Sequence, residues 1–413
     1  MQAEAAPALT ARSAWAMVLA LCTAFALSQA YRTVGAIMAG PLQAEFRLSA
    51  QALGLFSGAF HFAFGAMQLF MGIGIDLHGV RRTVLTAFPL AIAGGVISAL
   101  STSFGLVIAG QVLIGIGCAP AFLVCTVFIA RHFPATSFAS VSGLVLGIGG
   151  VGMLVTGTPL AWLVDAYSWR TGFWALAAAS ALAWLSILAM VREPASEGAA
   201  TPRESPIAAL RRFGALFAMP HTLGIMVLGA VTYAAFISLR GLWLGPLLME
   251  RHGYSLVQSG NVALAVSVIS LLGPPLFGRL DRGGPVRRRR ILTCCGIYAA
   301  LFAAIGLFHA AWIDVGCAIV IGLLSGFIVW QYADVRGAYP AALTGRAMAV
   351  FTMAMFLGVA LMQWLTGVAA SVAQAHGMEP YAVVLGGIAL LLVAGCAAFA
   401  WLPAPVGAVE PGK

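Results

Sequence analysis

The sequence predicts an all-α membrane protein, with twelve transmembrane helices arranged as two pseudo-symmetric six-helix bundles. Three observations predict it. Of 413 residues, 61% are hydrophobic and 8% are charged, against about 25% charged in an ordinary soluble domain. The apolar runs are continuous and long enough to cross a bilayer as helix, which takes about 20 residues each. Barrel strands would alternate apolar and polar residues instead. Finally, a shift of 206 residues lays the second half on the first, placing Gly54 on Gly260, Gly72 on Gly278 and Pro134 on Pro340.

The first half holds spans at 15–38, 52–74, 83–102, 105–130, 138–164 and 172–191. The first of these begins at Trp15, is too long for a cleaved signal segment and lacks a basic stretch before it. It carries Gln29, Tyr31 and Arg32; the second carries His61, and the fifth is rich in glycine. A polar stretch with Glu193, Glu197, Arg203, Glu204, Arg211 and Arg212 then separates the halves. The second half holds spans at 221–247, 258–279, 291–310, 313–334, 347–371 and 381–402. The chain thus divides into a bundle over 1–191, a cytoplasmic linker over 192–219 and a bundle over 220–413.

Charge placement sets the orientation. With the N-terminus in the cytoplasm, 17 bases fall in cytoplasmic segments, among them Arg81, Arg82, Arg131 and the run Arg287 to Arg290. Only Arg47, Arg170 and Arg251 fall on the other side. This is the positive-inside pattern for a multi-pass protein with both termini cytoplasmic. It accounts for the net charge of +9 without a nucleic-acid partner. The seven cysteines sit mostly within apolar runs and show no disulfide spacing.

The loop after the second span reads Gly72-Ile-Gly-Ile-Asp76-Leu-His-Gly79-Val-Arg81-Arg82. It resembles the G-x-x-x-D-(R)-x-G-R-R loop of the major facilitator superfamily. The matching loop of the second half, Gly278-Arg-Leu-Asp281-Arg282-Gly283, resembles the same motif with one residue missing before the aspartate. In the fourth span, Gly110-Gln111-Val-Leu-Ile-Gly115-Ile-Gly117 resembles the family's R-x-L-x-G-x-G pattern, with Gln111 where arginine is usual. Gly157-Thr-Pro159 resembles a degenerate Gly-Pro antiporter motif. The resemblance covers essentially the whole chain. It implies a secondary transporter working by alternating access, as symport or antiport, in a bacterial inner membrane. The loop residues Gly72, Asp76, Gly79, Arg81, Arg82, Gly278, Asp281 and Arg282 would then latch the cytoplasmic gate.

Arg32 and Arg240 are the two bases that fall well inside spans, and the repeat brings them within two positions of each other. A charge at the bilayer centre costs at least about 2.5–3.5 kcal/mol on insertion scales, so such residues are functional candidates. A guanidinium keeps its charge and offers forked donors to carboxylate or phosphate. All thirteen acids fall in loops or near span ends. The cavity is therefore expected to be positive and its substrate a small organic anion, in particular a carboxylate. Snorkelling of each arginine to an interface is the plainer alternative. The pair is also similar to the superfamily's organic-anion carriers, whose first and seventh helices often bear a base. In their proton-coupled branch an aspartate often precedes the first-helix arginine; here Tyr31 stands there.

Tyr31, Tyr233, Gln363 and His61 complete the expected substrate-binding set. His61 is the residue able to carry a coupling proton near neutral pH, and the choice of proton or counter-anion is left open. Gln331, Asn261, Trp243, Trp330 and Trp364 are further polar or aromatic groups within spans. Efflux of amphipathic compounds is an alternative reading. Copper transport through Met348, Met353, Met355 and Met362, with His221 and His252 nearby, is a weaker one. No catalytic motif is found, and the chain is expected to need no cofactor and to act as a monomer among lipids.

Overall fold

The structure is a computed structural model, and it describes residues 11–134, 137–192, 214, 216–281 and 284–403. Most of the linker, residues 193–213 and 215, lies outside them. Among the described residues twelve helices are long and apolar enough to cross a membrane. In order they are Arg12–Thr33, Ala50–Ile75, Leu77–Leu100, Phe104–His132, Val141–Ala166, Trp169–Met190, Thr222–His252, Leu256–Arg279, Val286–Phe308, Ala311–Ala338, Leu343–Ala375 and Pro380–Trp401. They are called the first to twelfth spans below. The end of the bundle where the first span starts is called the near end, and the opposite end the far end.

Local sequence explains where the spans begin. Ser49 accepts a hydrogen bond from the Ala52 amide at the start of the second span. Ser168 does the same for Thr171 at the start of the sixth. Ser255 and Gln258 form a reciprocal capping box at the start of the eighth. These caps satisfy amides that have no partner within their own helix.

The helix of the third span starts just after Gly79, a few residues before the 83–102 expected, and residues 77–78 close the preceding helix. Helix runs from Ala50 to Leu100 with one interruption, Gly79, whose φ of 81° reverses the chain between the second and third spans. Glycine adopts that left-handed backbone without the clash a Cβ would bring. The motif loop is therefore a one-residue hinge between helices.

Among the described residues five spans are interrupted along their length: the fourth at Ala119 and Pro120, the tenth by a 3-10 turn over Ser325–Phe327, and the first, fifth and seventh. The first is interrupted in its hydrogen bonding at Val34, whose dihedrals stay helical, and continues as a helix over Gly35–Phe46. The seventh contains a π-helical turn over Leu239–Trp243. The fifth breaks at Thr156 and Gly157, where Pro159 supplies no amide to the preceding turn. The shift of 206 carries Val34 onto Arg240, so the breaks in the first and seventh spans are equivalent.

Two hydrophobic clusters form the core, one mainly of first-half residues and one mainly of second-half residues. Large apolar side chains such as Leu182, Leu307, Leu390 and Trp401 remain on the outside. Such a surface suits lipid.

The halves touch mainly toward the far end. A methyl added to Gly35 would collide with the Gly241 carbonyl, one on Gly245 with the Ala36 carbonyl, and one on Gly54 with the Gln363 carbonyl. Gly157 and Gly260 bring the fifth and eighth spans together in the same way. Toward the near end, Gly72 and Gly74 approach only their own half, and Gly143, Gly147, Gly278 and Gly345 have open space beside them. Among the described residues the close glycine contacts between the halves run from the far end to Gly65 against Phe356 and Gly150 against Leu271, and the halves part beyond them toward the near end.

Candidate functional site

Arg32 lies two residues before the interruption in the first span, with only 7% of its surface exposed. Its guanidinium donates to Gln29 Oε1 at 2.5 Å and to Ser28 Oγ at 3.3 Å. It reaches across the halves to the Tyr233 hydroxyl at 3.4 Å. Phe64 and Phe356 hold it from two sides, their ring centroids 4.7 and 4.6 Å from its central carbon. Its Nε has no partner. Among the described residues no carboxylate forms an ion pair with it.

The aromatic layer extends to His61. Its ring stacks on Phe356 with centroids 6.3 Å apart. Nδ1 donates to the Ser57 carbonyl at 2.9 Å, which leaves Nε2 unpartnered. Gln363 lies on the second-half side of the same helix contact, fully buried, with neither amide atom hydrogen-bonded. Tyr233 rests edge-on against Phe356 at 5.3 Å. Residues of the first, second, seventh and eleventh spans thus meet in one aromatic and polar layer between the halves. Several of its buried polar atoms lack partners, and such atoms call for one.

Arg240 belongs to a different surrounding. It is fully buried. Nε donates to Ser267 Oγ at 2.8 Å, and one terminal nitrogen donates to the Met153 and Thr156 carbonyls at 3.0 and 3.4 Å. Arg32 and Arg240 share no hydrogen-bond partner among the described residues. The side chains leave the first–seventh span contact toward different neighbours.

Tyr31 is also placed elsewhere. It points into the first-half core, against Gly95, with its hydroxyl 3.4 Å from Ser180 Oγ. Adjacent residues on a helix point about 100° apart, so Tyr31 and Arg32 cannot both face the same layer. Gln331 bonds to Thr232, Trp330 to the Phe277 carbonyl, Asn261 to Thr158 and Trp243 to Thr366. Trp364 is largely exposed.

The loop motifs are structured at the near end. Arg81 donates to the Val191 and Leu188 carbonyls at 2.6 and 3.1 Å, closing the end of the sixth span. Asp281 forms a two-bond pair with Arg287, both at 2.8 Å. The Asp76 side chain and Arg282 lie outside the described residues. Gly72 and Arg82 flank the same hinge at Gly79, and Arg82 is exposed. Among the described residues no group of three His, Cys, Asp or Glu side chains is placed to hold a metal. His221 and His252 stand at opposite ends of the seventh span.

One cluster was not singled out from the sequence. At the far end of the second half, Asp314 is buried against Arg251 at 3.0 Å and His252 at 2.7 Å, and Arg251 also pairs with Glu379 at 2.9 Å. The signal was the lone aspartate in Ala311-Trp-Ile-Asp314, entering an otherwise apolar run.

A family model described as Major Facilitator Superfamily matches residues 19–363. The chain is similar to a hexuronate transporter of Bacillus subtilis (strain 168), 24% identical over 158 residues, 38% of this chain and 37% of that one. It is also similar to the enterobactin exporter EntS of Escherichia coli O157:H7 (strain EC4115 / EHEC), 27% identical over 263 residues, 61% of this chain and 56% of that one. The matches thus span about a third to just over half of these relatives. Among solved structures, a D-xylose-proton symporter superposes with a TM-score of 0.74 at 16% identity, covering 95% of this chain and 98% of that one. A bacterial homolog of the human lysosomal transporter Spinster, inward-facing and occupied, gives 0.72 at 18% identity, covering 92% and 95%.

Proposed function

The chain belongs to the Major Facilitator Superfamily, and on that premise we propose that it is a secondary active transporter of a small organic anion, a carboxylate above all. It works by alternating access across a bacterial inner membrane, with both termini in the cytoplasm. The near end is then the cytoplasmic end, on the arginine bias of the sequence. The carrying observation is Arg32: a buried cation midway between the halves, paired with no carboxylate and held by neutral oxygens and aromatic faces. Removing such a charge from water is costly unless a counter-charge joins it. An anion entering from the parted near end supplies that charge.

Tyr233 and Gln29 orient the bound carboxylate, and Phe64 and Phe356 keep water from the guanidinium. Gln363 and His61 offer the unpartnered polar atoms that a second polar group on the substrate would use. Arg240 contributes positive potential from behind the first–seventh span contact, and Tyr31 supports the wall that carries Arg32. The hexuronate transporter relative carries a name consistent with an acidic substrate.

The aromatic layer, together with the similarity to an exporter of enterobactin, favours efflux of a larger amphipathic compound as the second reading. A thermal-shift screen separates the two. Small carboxylates should raise the melting temperature of the wild type and fail to do so in Arg32→Gln. Stabilisation by hydrophobic cations, unchanged in Arg32→Gln, would sink the anion reading.

A further inference from the structure

Arg240 spends its charge on the backbone of the other half. The fifth span breaks at Thr156 and Gly157, and the carbonyls just before a helix break lack the amides that would follow in a continuous helix. The Gly157 amide donates to the Leu154 carbonyl instead of that of Met153. Met153 and Thr156 offer those carbonyls, and both accept from the Arg240 guanidinium. A cation at the C-terminal end of a helical segment is favoured by hydrogen bonding and by the segment's dipole.

The breaks of three spans meet here. Thr33, at the break of the first span, bonds to Thr156 at the break of the fifth with 2.6 Å between hydroxyl oxygens. Gly241, in the π-helical turn of the seventh, lies so close to the Arg32 carbonyl that a Cβ would come within 2.9 Å of it. Extra residues in a helical turn re-aim the side chains they carry, and Arg240 is one of the five residues of that turn. Its Nε is steadied by Ser267 of the eighth span, and its remaining terminal nitrogen has no partner.

We propose that Arg240 is the pin of the far gate, a positioning residue that holds the halves together by capping the broken fifth span across their interface. Opening the far end draws the guanidinium off Met153 and Thr156 and leaves a buried cation short of acceptors. The closed far gate is favoured by that difference. The pin rests only on the alternating-access part of the proposed function and holds whatever the substrate is.

The test uses the full chain in lipid nanodiscs, with spin labels on Ala44→Cys and Gln374→Cys and with the partly exposed Cys294, Cys317 and Cys396 replaced by serine. These two positions lie at the far end, one in each half. Their distance distribution is measured without substrate. Arg240→Gln should raise the long-distance, far-open population at least several-fold, and Arg240→Lys should restore part of the closed population. Arg251→Gln, which removes a buried arginine whose partners all lie in the second half, should leave the distribution at the short distance even if it lowers stability. An unchanged short distance in Arg240→Gln, or equal opening in Arg251→Gln, would overturn the pin. Failure of carboxylates to bind the wild type would sink the anion reading and leave this result standing.

Discussion

Arg32 owes its candidacy to what surrounds it. Three neutral oxygens and two aromatic faces make a buried cation tolerable, since cation–π contacts are worth about 0.5–2 kcal/mol each depending on desolvation. They do not neutralise it. Arg32→Lys keeps the charge but loses the planar fork that can hold a carboxylate through two bonds while stacking on rings. It should weaken anion affinity about tenfold or more, a change of about 1.4 kcal/mol, as read by isothermal titration. Tyr233→Phe removes one long hydrogen bond, at 3.4 Å. It should cost less, about 0.5–1.5 kcal/mol; a larger loss than for Arg32→Lys would place the anion on the tyrosine instead. The burial of Arg32 could be read in the sequence because a charge in an apolar run stands out. The direction of Tyr31 could not, because helical phase relative to neighbours is fixed by packing. Nor could the partners of Arg240, which are main-chain carbonyls 84 and 87 residues away and leave no side-chain signature.

At the scale of elements, the breaks and the glycines decide how closely spans approach. Gly245 lies against the Ala36 carbonyl where the far halves of the first and seventh spans meet. Gly245→Ala should keep the far end from closing and abolish turnover, while the protein still inserts and stays monodisperse; transport at the wild-type rate would show that this contact is not the gate. The far end of the first span's extension is tied to the sixth span by Glu45, which accepts from Trp169 at 2.7 Å and pairs with Arg170 through two bonds. The Arg170 guanidinium holds the Glu45 carboxyl below its usual range, with a smaller contribution from Trp169. A lowered carboxyl stabilises the fold fully above its unfolded value, near 4.3, and the contribution disappears as pH falls through the folded value. Glu45→Gln should therefore be slightly less stable than wild type near neutral pH, by about 0.2–1 kcal/mol for so exposed a pair. Melting curves should converge as pH falls below the lowered folded value of Glu45. The existence and order of the spans were legible from apolar runs, and their starts from Ser49, Ser168 and Ser255. The interruption at Val34 was not, since its dihedrals stay helical and Gly35 beside it is one of many glycines in the spans.

At the scale of the molecule, two similar halves meet along a far-end seam and part toward the near end. On the orientation proposed above the parted end faces the cytoplasm, and the aromatic layer around Arg32 lies between the halves, which still touch at Gly65 and Phe356. Alternating access, as proposed, requires a site reachable from one side at a time. Uptake into proteoliposomes tests the central claim most directly, using radiolabelled small carboxylates, hexuronates among them, with and without an imposed pH gradient. The wild type should accumulate at least one carboxylate, other small anions should compete, and Arg32→Gln should show no uptake above empty liposomes at equal protein incorporation. Carboxylate uptake by Arg32→Gln at the wild-type rate, or transport of hydrophobic cations with no response to any anion, would contradict the account.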